Sequence, residues 1–108
     1  MILWCDDPYL DEVLTPKWNR LKKKIAKEKF TMGIYYIAFP TNPENLFDII
    51  PANELLFPYY KRKELRLVGA AKGKQGAFML LAEMVEDMLE DLGKIDPEEY
   101  FSFSETSV

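Results

Sequence analysis

The chain has 108 residues, 48% apolar and 14% aromatic, with 18 acidic and 14 basic side chains and a net charge of −4. That length fits one domain with a real core, the composition excludes intrinsic disorder, and no apolar run approaches the roughly 20 residues of a membrane span. Histidine is absent and cysteine occurs once, which removes imidazole acid–base catalysis, imidazole metal ligation, histidine-activated nucleophiles and any internal disulfide.

A lone cysteine makes a reducing cytoplasm the expected compartment. Met1 to Asp7 carries neither a basic stretch nor a long apolar one, so no secretory signal is expected there. Charge is distributed unevenly. Lysine and arginine concentrate in Lys17–Lys29 and Lys61–Lys74, acids in Asp6–Glu12 and Glu83–Glu105. Such polarity favours contacts between unlike ends of two molecules, although solvated helix faces of opposite sign would look the same.

In chain order, Ile2-Leu3-Trp4-Cys5 is a short apolar run that fits an edge strand, broken by Asp6-Asp7-Pro8. Thr15-Pro16 predicts a helix start, with the threonine hydroxyl as cap and proline at the first helical position. That helix should run to about Lys29, with Trp18, Leu21 and Ile25 as a narrow apolar stripe among lysines. Gly33 to Phe39 is the best strand; its aromatic and β-branched run lacks polar alternation, so both faces are covered, or one lies against another subunit. After the turn cluster Pro40–Asn45, Leu46 to Ile50 reads as a strand pairing back, or as a helix if Asn42 and Pro43 start one across 43–57. Leu55 to Tyr60 is an apolar, aromatic connection, and Lys61-Arg62-Lys63 an exposed loop.

Leu65 to Val68 is a strand, Gly69 to Gly76 a glycine-punctuated turn, and Ala77 to Leu92 the strongest helix. Phe78, Leu81, Ala82, Val85, Met88, Leu89 and Leu92 form one wide apolar face, expected against the sheet. Met79, Leu80 and Met84 extend it beyond a single packing stripe. Acids at the end of this helix oppose the macrodipole. Gly93 suits a helix stop, Asp96 to Glu99 a short capped turn, and Tyr100, Phe101 and Phe103 can pack back, while 104–108 should form a flexible tail.

Several groups invite chemistry. The strand–glycine turn–helix around Gly69–Gly76 could hold an anion with Lys72 and Lys74, but it matches neither P-loop nor dinucleotide spacing, and a tight structural turn explains it. Asp6-Asp7 with Asp48 is similar to the acidic set of receiver domains, yet the chain is too short and no Ser or Thr ends the Leu65–Val68 strand. Asp6, Asp7, Asp11 and Glu12 lack calcium-loop spacing. Cys5, flanked by two aspartates, is a structural thiol rather than a nucleophile.

The run Val68-Gly69-Ala70-Ala71-Lys72-Gly73, followed by the long helix and by Asp-Pro-Glu-Glu-Tyr-Phe, resembles small uncharacterised bacterial proteins found chiefly in Firmicutes. The likeness covers about the C-terminal half. It implies a small bacterial cytoplasmic protein and transfers no site residue.

These readings converge on an α+β domain: a small, mostly antiparallel sheet of residues 33–39, 45–50 and 64–70, joined by 2–5, with two main helices on it. A βαβαβα layer structure follows instead if 43–57 is helical. The expected function is a non-enzymatic interaction module, without a cofactor, metal or membrane partner, that pairs with itself or another protein. Its contacts would come from Phe57, Tyr59, Tyr60, Met79, Leu80 and Met84. The alternatives are nucleic-acid binding through runs 17–29 and 61–74, with Lys61, Arg62, Lys63, Lys72 and Lys74 as contacts, and a carboxylate-based enzyme or ligand domain built from Asp6, Asp7, Asp48 and Glu54.

Overall fold

The computed structural model describes residues 2–26, 33–40, 44–56 and 64–104. Four strands, β1 (Ile2–Leu10), β2 (Ile34–Ala38), β3 (Asp48–Pro51) and β4 (Leu65–Lys72), form one sheet in the order β1-β4-β2-β3. β1 and β4 are parallel; β4 with β2 and β2 with β3 are antiparallel. The helices are α1 (Trp18–Ala26), α2 (Lys74–Leu92) and the single turn α3 (Pro97–Tyr100). The result is the expected α+β sheet with two main helices. Residues 52–56 form only a 3-10 segment after β3, so the layered alternative does not arise.

β2 is buried on both faces, as its unbroken apolar run demands. Tyr36 faces one core, with Trp4, Leu67 and Leu21 of α1, and Ile37 the other, with Val68, Met84 and Met88 under α2. α1 docks by one edge, where Trp18 meets Trp4 edge-on at 4.5 Å between ring centroids.

Two expected boundaries shift. Asp6-Asp7-Pro8 does not end β1. The strand swells there instead: Trp4 pairs with Leu67 and the next pair is Tyr9 with Gly69, so Cys5 to Pro8 stand opposite Val68 alone. The swollen edge finds another partner, with the Asp6 amide donating to Ser102 O at 2.8 Å and Asp6 Oδ1 accepting from Ser104 N at 3.0 Å. Ser104, the first residue of the expected tail, is thus tied to β1.

The predicted eight-residue glycine turn contracts to Gly73, at φ +83°. Ala70 and Ala71 belong to β4, fully buried, and Gly76 lies in the first turn of α2. β4 also bulges against β2, since Ile37 pairs with Gly69 but Ala38 with Leu67. The extra residue changes parity, which places Ala70 on the same face as Leu65 and Leu67 and gives Ala71 to the α2 side.

Thr15 does not cap α1. Its hydroxyl donates to Asp11 O at 2.7 Å, while Asp11 Oδ1 accepts from Leu14 N at 2.9 Å, so Asp11 closes the entry turn ahead of the 3-10 segment Thr15–Lys17. Gly93 (φ +72°) and the Asp96 cap, which accepts from Glu99 N at 3.2 Å, end α2 and start α3 as expected.

Candidate functional site

α2 presents a different face to the sheet from the one its sequence suggests. Ala77, Leu80, Met84 and Met88 are buried against β4 and β2. Leu80 and Met84, expected to contribute to an interface, are therefore core residues of this chain, at 6% and 0% exposure. The reason lies in the sheet below them: Gly69 and Ala71 leave shallow ground that flexible methionines fill, whereas Phe78 is too bulky and rigid for it. The apolar excess falls on the flank. Phe78, Ala82, Val85 and Leu89 follow one another at steps of four, three and four, a heptad-like seam, with Phe78 at 52% and Leu89 at 47% exposure. Ala82 is exposed and Val85 half-buried.

Beside the seam lies an open groove of about 480 Å³ whose floor is Tyr35, Phe47 and Ile49 and whose helical wall is Phe78 and Leu81. It exists because one helix, about 10 Å wide, spans roughly two strands spaced about 4.8 Å apart, and α2 sits over β4 and β2 rather than β3. Lys74 and Glu54 stand at its rim.

The opposite flank of α2 is polar and engaged. Tyr9 Oη donates to Asp87 Oδ2 at 2.5 Å, and Tyr100 Oη lies 3.0 Å from Tyr9 Oη and 3.4 Å from Asp91 Oδ2. Burial and the Asp87 carboxylate both push the Tyr9 phenol well above its ordinary range. A smaller recess of about 330 Å³ adjoins it, lined by Cys5, Asp6, Asp7, Tyr9 and Tyr100. The Cys5 thiol is pushed up to about 12, chiefly by burial and further by Asp7 and Asp6. A protonated, buried thiol is a poor nucleophile.

The other candidates are placed as follows. Met79 is exposed at 68%, on the solvent side of α2 and away from the seam. Phe57, Tyr59, Tyr60, Lys61, Arg62 and Lys63 lie outside the described residues. Lys72 and Lys74 flank the start of α2, but the chain brings its own carboxylate there: Asp11 Oδ2 accepts from Lys72 N at 2.7 Å and lies 3.7 Å from where a Cβ on Gly76 would be. Lys23 and Lys24 are exposed on α1, which packs on the sheet face opposite α2, so they lie in a different layer from Lys74. The carboxylates do not converge either. Asp6 and Asp7 are on β1 at one edge, Asp48 and Glu54 on or after β3 at the other. Among the described residues no cluster of three or more potential ligands is arranged to hold a metal ion, and no helix is long and apolar enough to cross a membrane.

The sequence assigns the surplus apolar width of this helix to Met79, Leu80 and Met84, whereas the structure buries Leu80 and Met84 and leaves Phe78 and Leu89 outside. What the sequence missed was which half of that width the sheet would take; Gly69 and Ala71, small residues in register beneath the helix, were the available signal. No protein family matches this chain, nor does any curated protein or solved structure.

Proposed function

We propose that this chain is a non-enzymatic interaction module of the bacterial cytoplasm that associates with a second copy of itself through the flank of α2. The observation that carries the reading is the seam Phe78–Ala82–Val85–Leu89, an apolar stripe at coiled-coil spacing that the chain's own sheet leaves half in water. Scattered exposed apolar residues need no explanation; an aligned row beside an open groove is what a helix partner requires.

Sedimentation at micromolar concentration should show a dimer. Phe78→Glu combined with Leu89→Glu should yield a monomer with unchanged circular dichroism, since both side chains already reach solvent. A wild-type monomer throughout the micromolar range sinks the proposal. Nucleic-acid binding by runs 17–29 and 61–74 is the competing reading. It requires tight, salt-sensitive binding of DNA or RNA by both the wild type and the glutamate variant.

A further inference from the structure

The charges carried by α2 itself run against its dipole at both ends, and the compensating group at its start is the Asp11 carboxylate, which reaches it from the β1–α1 connection. The first turn contains no acid and the last turn no base. Lys72 and Lys74 stand at the start, where the macrodipole is positive, and Glu83, Glu86, Asp87, Glu90 and Asp91 fill the second half, where it is negative. Asp87 and Asp91 gain phenol partners in exchange. Glu83, Glu86 and Glu90 have no ion-pair partner among the described residues, and Lys94, the nearest base, is taken by Glu99 at 2.9 Å and Asp96 at 3.7 Å. As a lone helix, α2 is charged the wrong way round.

The same gradient becomes favourable beside an identical helix running in the opposite direction. We infer that two copies of this chain pair through α2 in antiparallel orientation, about a two-fold axis between Ala82 and Val85. This rests on the self-association proposed above and adds its direction and register. In that arrangement the dipole-positive start of each helix lies beside the dipole-negative, acidic end of the other, an attraction between ends rather than between paired side chains, since Lys74 and Glu86 flank the seam on opposite sides. A parallel pair would set like charges and like dipoles side by side. The seam fits the same symmetry. Phe78 of one copy meets Leu89 of the other, and Ala82 meets Val85, so each large residue is matched once and the small alanine falls near the axis, where two helices approach closest.

Cysteine cross-linking separates the geometries, because the native Cys5 is only 4% exposed and stays out of the reaction. Phe78→Cys and Leu89→Cys are prepared separately, each oxidised alone and then as a mixture. Antiparallel pairing places like positions roughly 16 Å apart along the axis, 11 residues at about 1.5 Å each, beyond disulfide reach. Each variant alone should therefore stay uncross-linked, and the mixture should give the covalent heterodimer. Added salt should weaken the wild-type dimer, and Lys74→Glu should weaken it several-fold at low salt. Disulfides within each single variant, with no gain on mixing, mean a parallel pair and overturn the inference. A dimer in solution that cross-links in none of the samples overturns it too, leaving self-association through another surface. A monomer removes the underlying reading itself.

Discussion

Gly69 is where three elements press on one residue. A Cβ there would lie 2.7 Å from Met84 Cε, 3.1 Å from Tyr9 O and 3.4 Å from Ile37 Cδ1. The methionine end can swing away; the carbonyl of the paired strand cannot. Gly69→Ala should therefore cost about 1–3 kcal/mol by overpacking. Met84→Ala, which empties a fully buried site, should cost about 2–5 kcal/mol. In urea denaturation the double variant should be less destabilised than the sum of the two, because the alanine methyl occupies part of the vacated space. Strict additivity would mean that Tyr9 O alone sets the cost. Cys5 gives a second residue-scale test. Its folded pKa, about 12, lies above its ordinary 9.0. The folded state keeps a proton that the unfolded chain releases, so this contribution to stability is complete below pH 9 and is lost as pH climbs towards 12. At neutral pH, alkylation of Cys5 should proceed no faster than unfolding exposes it, which iodoacetamide labelling with and without urea will show.

At the scale of elements, the two ends of α2 are held by glycines that no side chain suits. Gly73 and Gly93 both have positive φ, and nothing lies within 4 Å of a Cβ at either. The cost of Gly93→Ala is thus conformational rather than steric, about 1 kcal/mol, visible as a lowered thermal midpoint with no change in fold. The Gly93 stop, the strand Gly33–Phe39 and the Asp96 cap were readable because each rests on local chemistry: a positive φ, a β-branched run, a carboxylate three residues before an amide. The start of α2 and the middle of β1 were not. Ala70 and Ala71 look like turn residues until Tyr35 and Tyr36 pair with them, and Asp6-Pro8 looks like a break until Ser102 and Ser104 supply the missing partners from nearly 100 residues away. Long-range pairing overrode local propensity in both places.

Across the whole molecule, the C-terminal segment acts as a second partner for β1. It packs Phe101 and Phe103 around Phe39, whose ring also carries the Arg66 guanidinium at 4.3 Å, and Arg66 reaches Glu98 with both of its terminal nitrogens. Removing the chain from Ser102 onward should free the swollen part of β1 while leaving β4 and β2 paired. Hydrogen exchange should then quicken at the Asp6 amide far more than at Tyr36 or Ala70; equal quickening at all three would show that the segment holds the entire sheet. The class of fold was within reach of the sequence because the count and character of the apolar runs limit the options. The lateral order of the strands was not, since nothing local to β1 says that its neighbour is β4.

That strand order has a consequence in time. The ribosome releases β1, β2 and β3 first, yet β1 must wait for β4, because Ile2 pairs with Leu65 and the first two strands never touch as neighbours. At about 5–20 residues per second, β1 stays without its sheet partner for several seconds, with Trp4 and Cys5 uncovered. The β2–β3 hairpin can form in the meantime but has no central strand to rest on. The sheet closes only when its middle arrives last, so a nascent chain ending before Leu65 lacks the strand that joins β1 to β2 and leaves the apolar faces of both uncovered.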